Sequence, residues 1–210
     1  MLGTRSEEFI MIVKYENFNI MAHVPHKCGI SSVINYLAWP YQQGTASNKK
    51  EVVKRLSKIG KVEYKETLSL IDKTDALKIA VVRDPVSRVS SVWSDRVLKK
   101  NKDGLENKSW QYFIDNFTNI RKDFPDIRLH SRPYTEYIDH DLTKYDLIIN
   151  SEHIDTVLIP WLNDKLKCEI TPNRRNVSKS LRSGHKSSDD DVKMIKEYYK
   201  KDYEIFSKYF

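Results

Sequence analysis

Apolar and polar positions along the chain predict strands and helices in alternation. Ile20, Met21, Ala22 and Val24 make a short apolar run that Pro25 stops, and after Gly29 the stretch from Ser31 to Trp39 has helical spacing. Upstream, Phe9 to Lys14 is β-rich and its short connection predicts a neighbouring strand at an antiparallel edge. Val52, Val53, Leu56 and Ile59 predict a helix over 51–59 that Gly60 ends. Val62 and Tyr64 alternate like a strand, whereas 67–77 also fits a short helix. Ile79, Ala80, Val81 and Val82 form the compact apolar run of a strand buried on both faces. Pro85 then suits the first position of a helix with Val86, Val89, Ser90 and Trp93 on its inner face. Trp110, Phe113, Ile114, Phe117 and Ile120 predict one helix over 108–124, its aromatic residues in the core, ended by Pro125. Val157, Leu158, Trp161 and Leu162 predict another, kinked by Pro160. Residues 167–186 read as a basic polar loop. Ser188 caps a helix with Asp189, Asp190 and Asp191 in its first turn, and the Tyr- and Phe-rich tail reads as a docked helix pair.

Composition narrows the class. With 210 residues and 40% of them hydrophobic, spread without a dividing linker, the chain is expected to form one domain over 1–210. A net charge of +7 suits an anionic ligand or an acidic polymer. The two cysteines, Cys28 and Cys168, lack metal or disulfide-framework spacing, so no metal site and a reducing, cytoplasmic setting are expected. No apolar segment is long enough for a membrane span. The N-x-[ST] triplets at Asn107, Asn116 and Asn176 are common by chance, and a truncated Golgi enzyme stays open as the alternative.

Candidate chemistry concentrates in two places. The first is the strand–loop–helix from Asn19 to Trp39: unpaired N–H groups and the dipole of a helix N-terminus favour an anion, Gly29 allows close backbone approach, Lys27 adds a charge, and Ser31 and Ser32 add hydroxyls. Taken alone, the stretch is equally an ordinary strand-to-helix turn. The G-x-x-x-x-G-K-[ST] loop of nucleotide triphosphatases is absent. The second place is Arg83, at the end of the buried strand, with Ser91 eight positions on; a strand-end arginine can hold a phosphate through two hydrogen bonds, or can pair with Asp84.

The residues Pro25, His26, Lys27, Cys28, Gly29, Ile30 and Ser31 resemble the 5′-phosphosulfate loop of sulfotransferases that use 3′-phosphoadenosine 5′-phosphosulfate (PAPS), with Ile30 where many members carry Thr. RDPVSRVSSVW resembles their 3′-phosphate element, especially in the carbohydrate branch, with Arg83 and Ser91 at its contact positions and Arg88 and Trp93 also in place. A weaker match places His130, Pro133, Tyr145 to Ile149 and Glu152 on a third family segment, with Ser131 and Tyr134 departing from it. The resemblance implies a three-layer α/β, P-loop-like fold with a central, mainly parallel sheet flanked by helices. It implies sulfuryl transfer from PAPS, leaving 3′-phosphoadenosine 5′-phosphate (PAP), to a hydroxyl or amine acceptor, with a carbohydrate first. Cofactor contacts would be His26, Lys27, Cys28, Gly29, Ile30, Ser31, Ser32, Arg83, Ser91 and, from the basic loop, Arg182. Lys27 would stabilise the leaving phosphate and His130 would be the base, with His23, His26, Glu63 and Glu66 as alternatives. No nucleic-acid partner is expected. The competing readings are a non-catalytic basic module that binds nucleic acid or polyanions, and a small-molecule kinase of similar architecture.

Overall fold

β1 (Phe9–Tyr15) and β2 (Ile20–His23) run antiparallel, Tyr15 opposite Ile20 and Ile12 opposite His23, in the computed structural model, which describes residues 9–15, 20–37, 61–63, 71–99, 104–171 and 187–210. A loop leads from β2 into α1 (Ile30–Leu37). β3 (Lys61–Glu63) pairs with the other side of β1, so β1 is antiparallel as expected but lies inside the sheet rather than at its edge. The expected helix over 51–59 with its stop at Gly60 lies outside the described residues, as do 64–70 and the basic loop over 172–186.

β4 (Leu77–Val82) lies parallel to β2, and β5 (Leu147–Asn150) lies parallel to β4. The sheet order is β3-β1-β2-β4-β5, three of its strands forming a parallel unit. Ile79, Ala80, Val81 and Val82 have no solvent exposure, which is why this run carries no polar alternation. Each fully buried aliphatic side chain stabilises the fold by about 1.5–3 kcal/mol before chain entropy is counted.

The helices follow the sequence with three informative differences. α2 (Pro85–Trp93) begins where Pro85 predicts, but continues into a π-helical segment, Ser94–Lys99, that changes the direction of the next side chains. The aromatic stripe over 108–124 is core, yet it lies on two helices, α3 (Trp110–Asp115) and α4 (Phe117–Asp123). Asn116 breaks them apart: its side-chain amide donates to Tyr112 O at 2.9 Å, in competition with the helical ladder. Pro125 ends α4 and starts α5 (Pro125–His130), so His130 closes a helix. A second π-helical segment, Ile154–Leu158, leads into α6 (Ile159–Leu166), with Pro160 in its first turn, where its missing N–H costs little. The C-terminal helix pair is present as α7 (Asp189–Tyr198), with a full capping box between Ser188 and Asp191, and α8 (Lys200–Phe206).

Two apolar cores result. One joins the parallel strands to α1, Leu158, Leu162 and Phe206, and the other joins α2 to α3, α4, Ile127 and α7 through Val92, Trp110, Phe113, Phe117 and Ile195. Among the described residues no helix is long and apolar enough to cross a membrane.

Candidate functional site

Because β2 and β4 are parallel neighbours, the loop after His23 and the residue after Val82 emerge on the same edge of the sheet. In the loop, Lys27 and Gly29 both have left-handed backbone conformations, φ 68° and 83°. For Lys27 that conformation costs about 1–2 kcal/mol, a strain of the kind that gathers at functional sites. Gly29 has a second constraint: a Cβ there would lie 2.5 Å from Ile154 Cδ1. Its carbonyl accepts from the N–H groups of Ser32 and Val33 and so starts α1. The N–H groups of Ile30 and Ser31, the first two residues of that helix, precede its first hydrogen-bonded turn.

Both arginines of the second motif hold carbonyls of this loop. Arg83 Nη1 donates to Lys27 O at 3.3 Å, and Arg88 Nε donates to His26 O at 3.1 Å. Arg83 does not pair with Asp84, whose carboxylate accepts from Ser87 N at 2.9 Å and from the Tyr203 hydroxyl at 2.7 Å. Arg83 Nε is buried and has no hydrogen-bond partner among the described residues, which leaves a donor at the strand end. Arg88 is 1% exposed; it also donates to Arg132 O at 2.6 Å, and its guanidinium lies 4.6 Å from the centroid of the Tyr134 ring.

Lys27 Nζ forms an ion pair with Asp95 Oδ2 at 3.0 Å. Burial pushes the Lys27 amine below its ordinary value, against the pull of Asp95. Burial also disfavours the Asp95 carboxylate, but the hydrogen bond and charge of Lys27 outweigh it and hold the group below the usual range. Arg96 extends the network, with Nη1 3.4 Å from Asp95 and Nε 3.2 Å from Asp126.

His130 sits against this wall, 6% exposed, with its ring 4.2 Å from that of His26. Arg96 Nη2 contacts Nε2, which must accept because arginine only donates, so Nδ1–H donates to Asp126 O at 2.7 Å. Burial, followed by the neighbouring Arg96 charge, brings His130 down to about 4, and burial and His130 bring His26 down to about 3. His130 is therefore neutral with both nitrogens engaged. For His130 to act as the expected base, Arg96 Nη2 would have to move off Nε2. His23 is unsuited: it is 1% exposed, burial lowers it to about 4, and its Nδ1 is bonded to the Tyr145 hydroxyl at 3.0 Å.

The other expected contacts divide by exposure. Ser31 is exposed in the first turn of α1, whereas Ser32 is buried, so only Ser31 presents its hydroxyl. Ile30 and Ser91 are half-buried. Cys28 turns into the core, its thiol pushed up by burial, and its N–H donates to Pro25 O at 3.2 Å, so neither is presented to a ligand. Glu63 is placed only as the last residue of β3, and Arg182 and Glu66 lie outside the described residues.

The profile of the Sulfotransferase family matches residues 9–209. The chain belongs to the sulfotransferase family. Sulfuryl transfer is that family's chemistry, and the protein is of the transferase class; its sheet and flanking helices are consistent with a sulfotransferase P-loop-like fold. No curated protein and no solved structure matches the chain.

Within this sulfotransferase, several residues of the site were not singled out from sequence. Asp95 lies four positions after Ser91, a spacing that could have brought it forward as a neighbour on the same helix. Arg96 and Asp126 depend on the π-helical segment and on α5, and no local pattern marks them. Tyr134 was noticed only as a departure from the family pattern. The open groove of about 320 Å³ between α3, α4 and α7 is lined by Asp115, Asp190 and Asp191, among others, which is the wrong charge for a nucleotide phosphate.

Proposed function

We propose that the protein transfers a sulfuryl group from PAPS to a hydroxyl acceptor, with a carbohydrate as the acceptor class. The observation that carries this reading is the contact between the two anion-binding elements: Arg83 reaches Lys27 O while its Nε stays buried with no partner among the described residues. The carbohydrate assignment rests on the likeness of RDPVSRVSSVW to that branch of the family. PAPS, when bound, supplies an activated sulfonate whose leaving group is a phosphate.

The residues present fit such a group. The loop from His26 to Ser31 would hold the 5′-phosphosulfate through backbone N–H groups, the Ser31 hydroxyl and Lys27. Arg83 and Ser91 would hold the 3′-phosphate. Lys27, which pairs with Asp95 at 3.0 Å, would turn to the leaving phosphate and supply a positive charge there. That turn would leave Asp95 with Arg96 as its remaining close counter-charge, 3.4 Å away, and its Oδ2 would take the acceptor's hydroxyl proton. His130 holds Arg96 and Asp126 in place behind it.

Calorimetric titration with PAP tests the assignment, using wild type, Lys27→Ala and Arg83→Ala, with ATP as the comparison ligand. The expected result is a preference for PAP over ATP, weakened by roughly 1.5–3 kcal/mol by each substitution. Absence of PAP binding, or binding indifferent to Arg83, overturns it.

A further inference from the structure

Tyr134 has no exposed surface, and its hydroxyl satisfies both main-chain groups of the residue just past the end of β4: it accepts from Arg83 N at 3.0 Å and donates to Arg83 O at 2.7 Å. The same oxygen lies 3.2 Å from the Cys28 thiol, in the other anion-binding element. The face of its ring supports the Arg88 guanidinium, which in turn holds His26 O. Tyr134 is itself pinned from the far end of the chain, because the Asp202 carboxylate on α8 accepts from Tyr134 N at 2.8 Å and from Thr135 N at 3.1 Å. A single side chain thus touches the backbone that carries Arg83 and the loop that carries Lys27.

We infer that Tyr134 is a positioning residue that sets the spacing between the 5′- and 3′-phosphate subsites, so that one nucleotide engages both at once. The inference rests on the PAPS reading for its ligand, but the mechanical link between the two loops does not. A ligand with one phosphate needs only one subsite in place. A bisphosphate needs both, at a fixed separation, and gains from that preorganisation. Tyr134→Phe keeps the ring against Arg88 and Phe206 and removes only the oxygen that joins the loops.

The test compares PAP with adenosine 5′-monophosphate by calorimetry, together with residue-resolved amide exchange in the ligand-free protein. In Tyr134→Phe the preference for PAP over the monophosphate is expected to fall roughly fivefold to tenfold, the weight of one buried hydrogen bond. In an Arg83→Ala background the same change should leave that preference unaltered, because the second subsite is already lost. A residue of merely structural value would weaken both ligands equally, and an unchanged ratio overturns the inference. Exchange supplies the second decision. The Arg83 amide loses its acceptor directly, so faster exchange there is trivial, whereas faster exchange of the Cys28 amide, which donates to Pro25 O at 3.2 Å, requires coupling through the hydroxyl. A Cys28 amide that does not respond refutes the link. If wild type binds neither nucleotide, the PAPS reading falls and exchange alone decides the role of Tyr134.

Discussion

Replacing Asp95 by Asn should tighten PAP binding. A substitution inside a binding site ordinarily weakens its ligand, but here the carboxylate competes with the phosphate for Lys27. At the observed separation of 3.0 Å the Coulomb term is about 1.4 kcal/mol in bulk water and about 5.5 kcal/mol at an effective dielectric constant of 20. The side chains retain 18% and 25% of their exposure, so solvent and the cost of holding both in place reduce the net value to about 1 kcal/mol. Release of Lys27 should therefore raise PAP affinity roughly fivefold. Calorimetry at low and high salt measures it, and the gain should shrink with salt as a partly exposed charge effect does. In a Lys27→Ala background the gain should fall, because no amine remains to be released. Turnover should move in the opposite direction, falling by about 10²–10⁴, since Asn cannot take a proton. PAP binding that is weaker than wild type in Asp95→Asn, with the fold intact, would show that the ion pair holds Lys27 in its binding position and would refute the reasoning.

Gly29→Ala should destabilise the fold by about 2–4 kcal/mol, because φ is 83° and the new Cβ would lie 2.5 Å from Ile154 Cδ1; thermal unfolding measures this, and Ile154→Val, which removes that Cδ1, should recover part of the loss. The buried histidines predict acid sensitivity: His23 and His130 have folded-state values near 4 against an unfolded 6.5, so their contribution is complete above pH 6.5 and is lost as pH falls toward 4. Urea unfolding between pH 7.5 and 5.5 should show a loss of about 1.3 kcal/mol for each such group, and a His23→Asn variant whose pH dependence runs parallel to wild type would contradict it.

Both elements proposed to hold phosphates could be found in the sequence because each is local. A strand, a turn with a required glycine and a helix start occupy consecutive residues, so Pro25, Lys27, Gly29, Arg83, Asp84 and Pro85 carry their own geometric signals. The capping box at Ser188 and Asp191 and the aromatic stripe from Trp110 to Ile120 are readable for the same reason, although a single competing amide at Asn116 splits the stripe into two helices. The surroundings of the expected base were not legible, because locality ends there. His130 looks available in sequence, but its neighbours Arg96 and Asp126 arrive from a π-helical segment and from the start of α5, and they occupy both ring nitrogens.

The amino-acid order by itself determined the two strand-end turns proposed to bind anions, because φ preferences, helix starts and apolar periodicity act over a few residues. Tertiary structure alone decided which partners Lys27 and Arg83 meet there. Asp95, Tyr134, Asp202 and Tyr203 converge on the two loops through burial, and packing carries no periodic trace along the chain for contacts so distant in sequence.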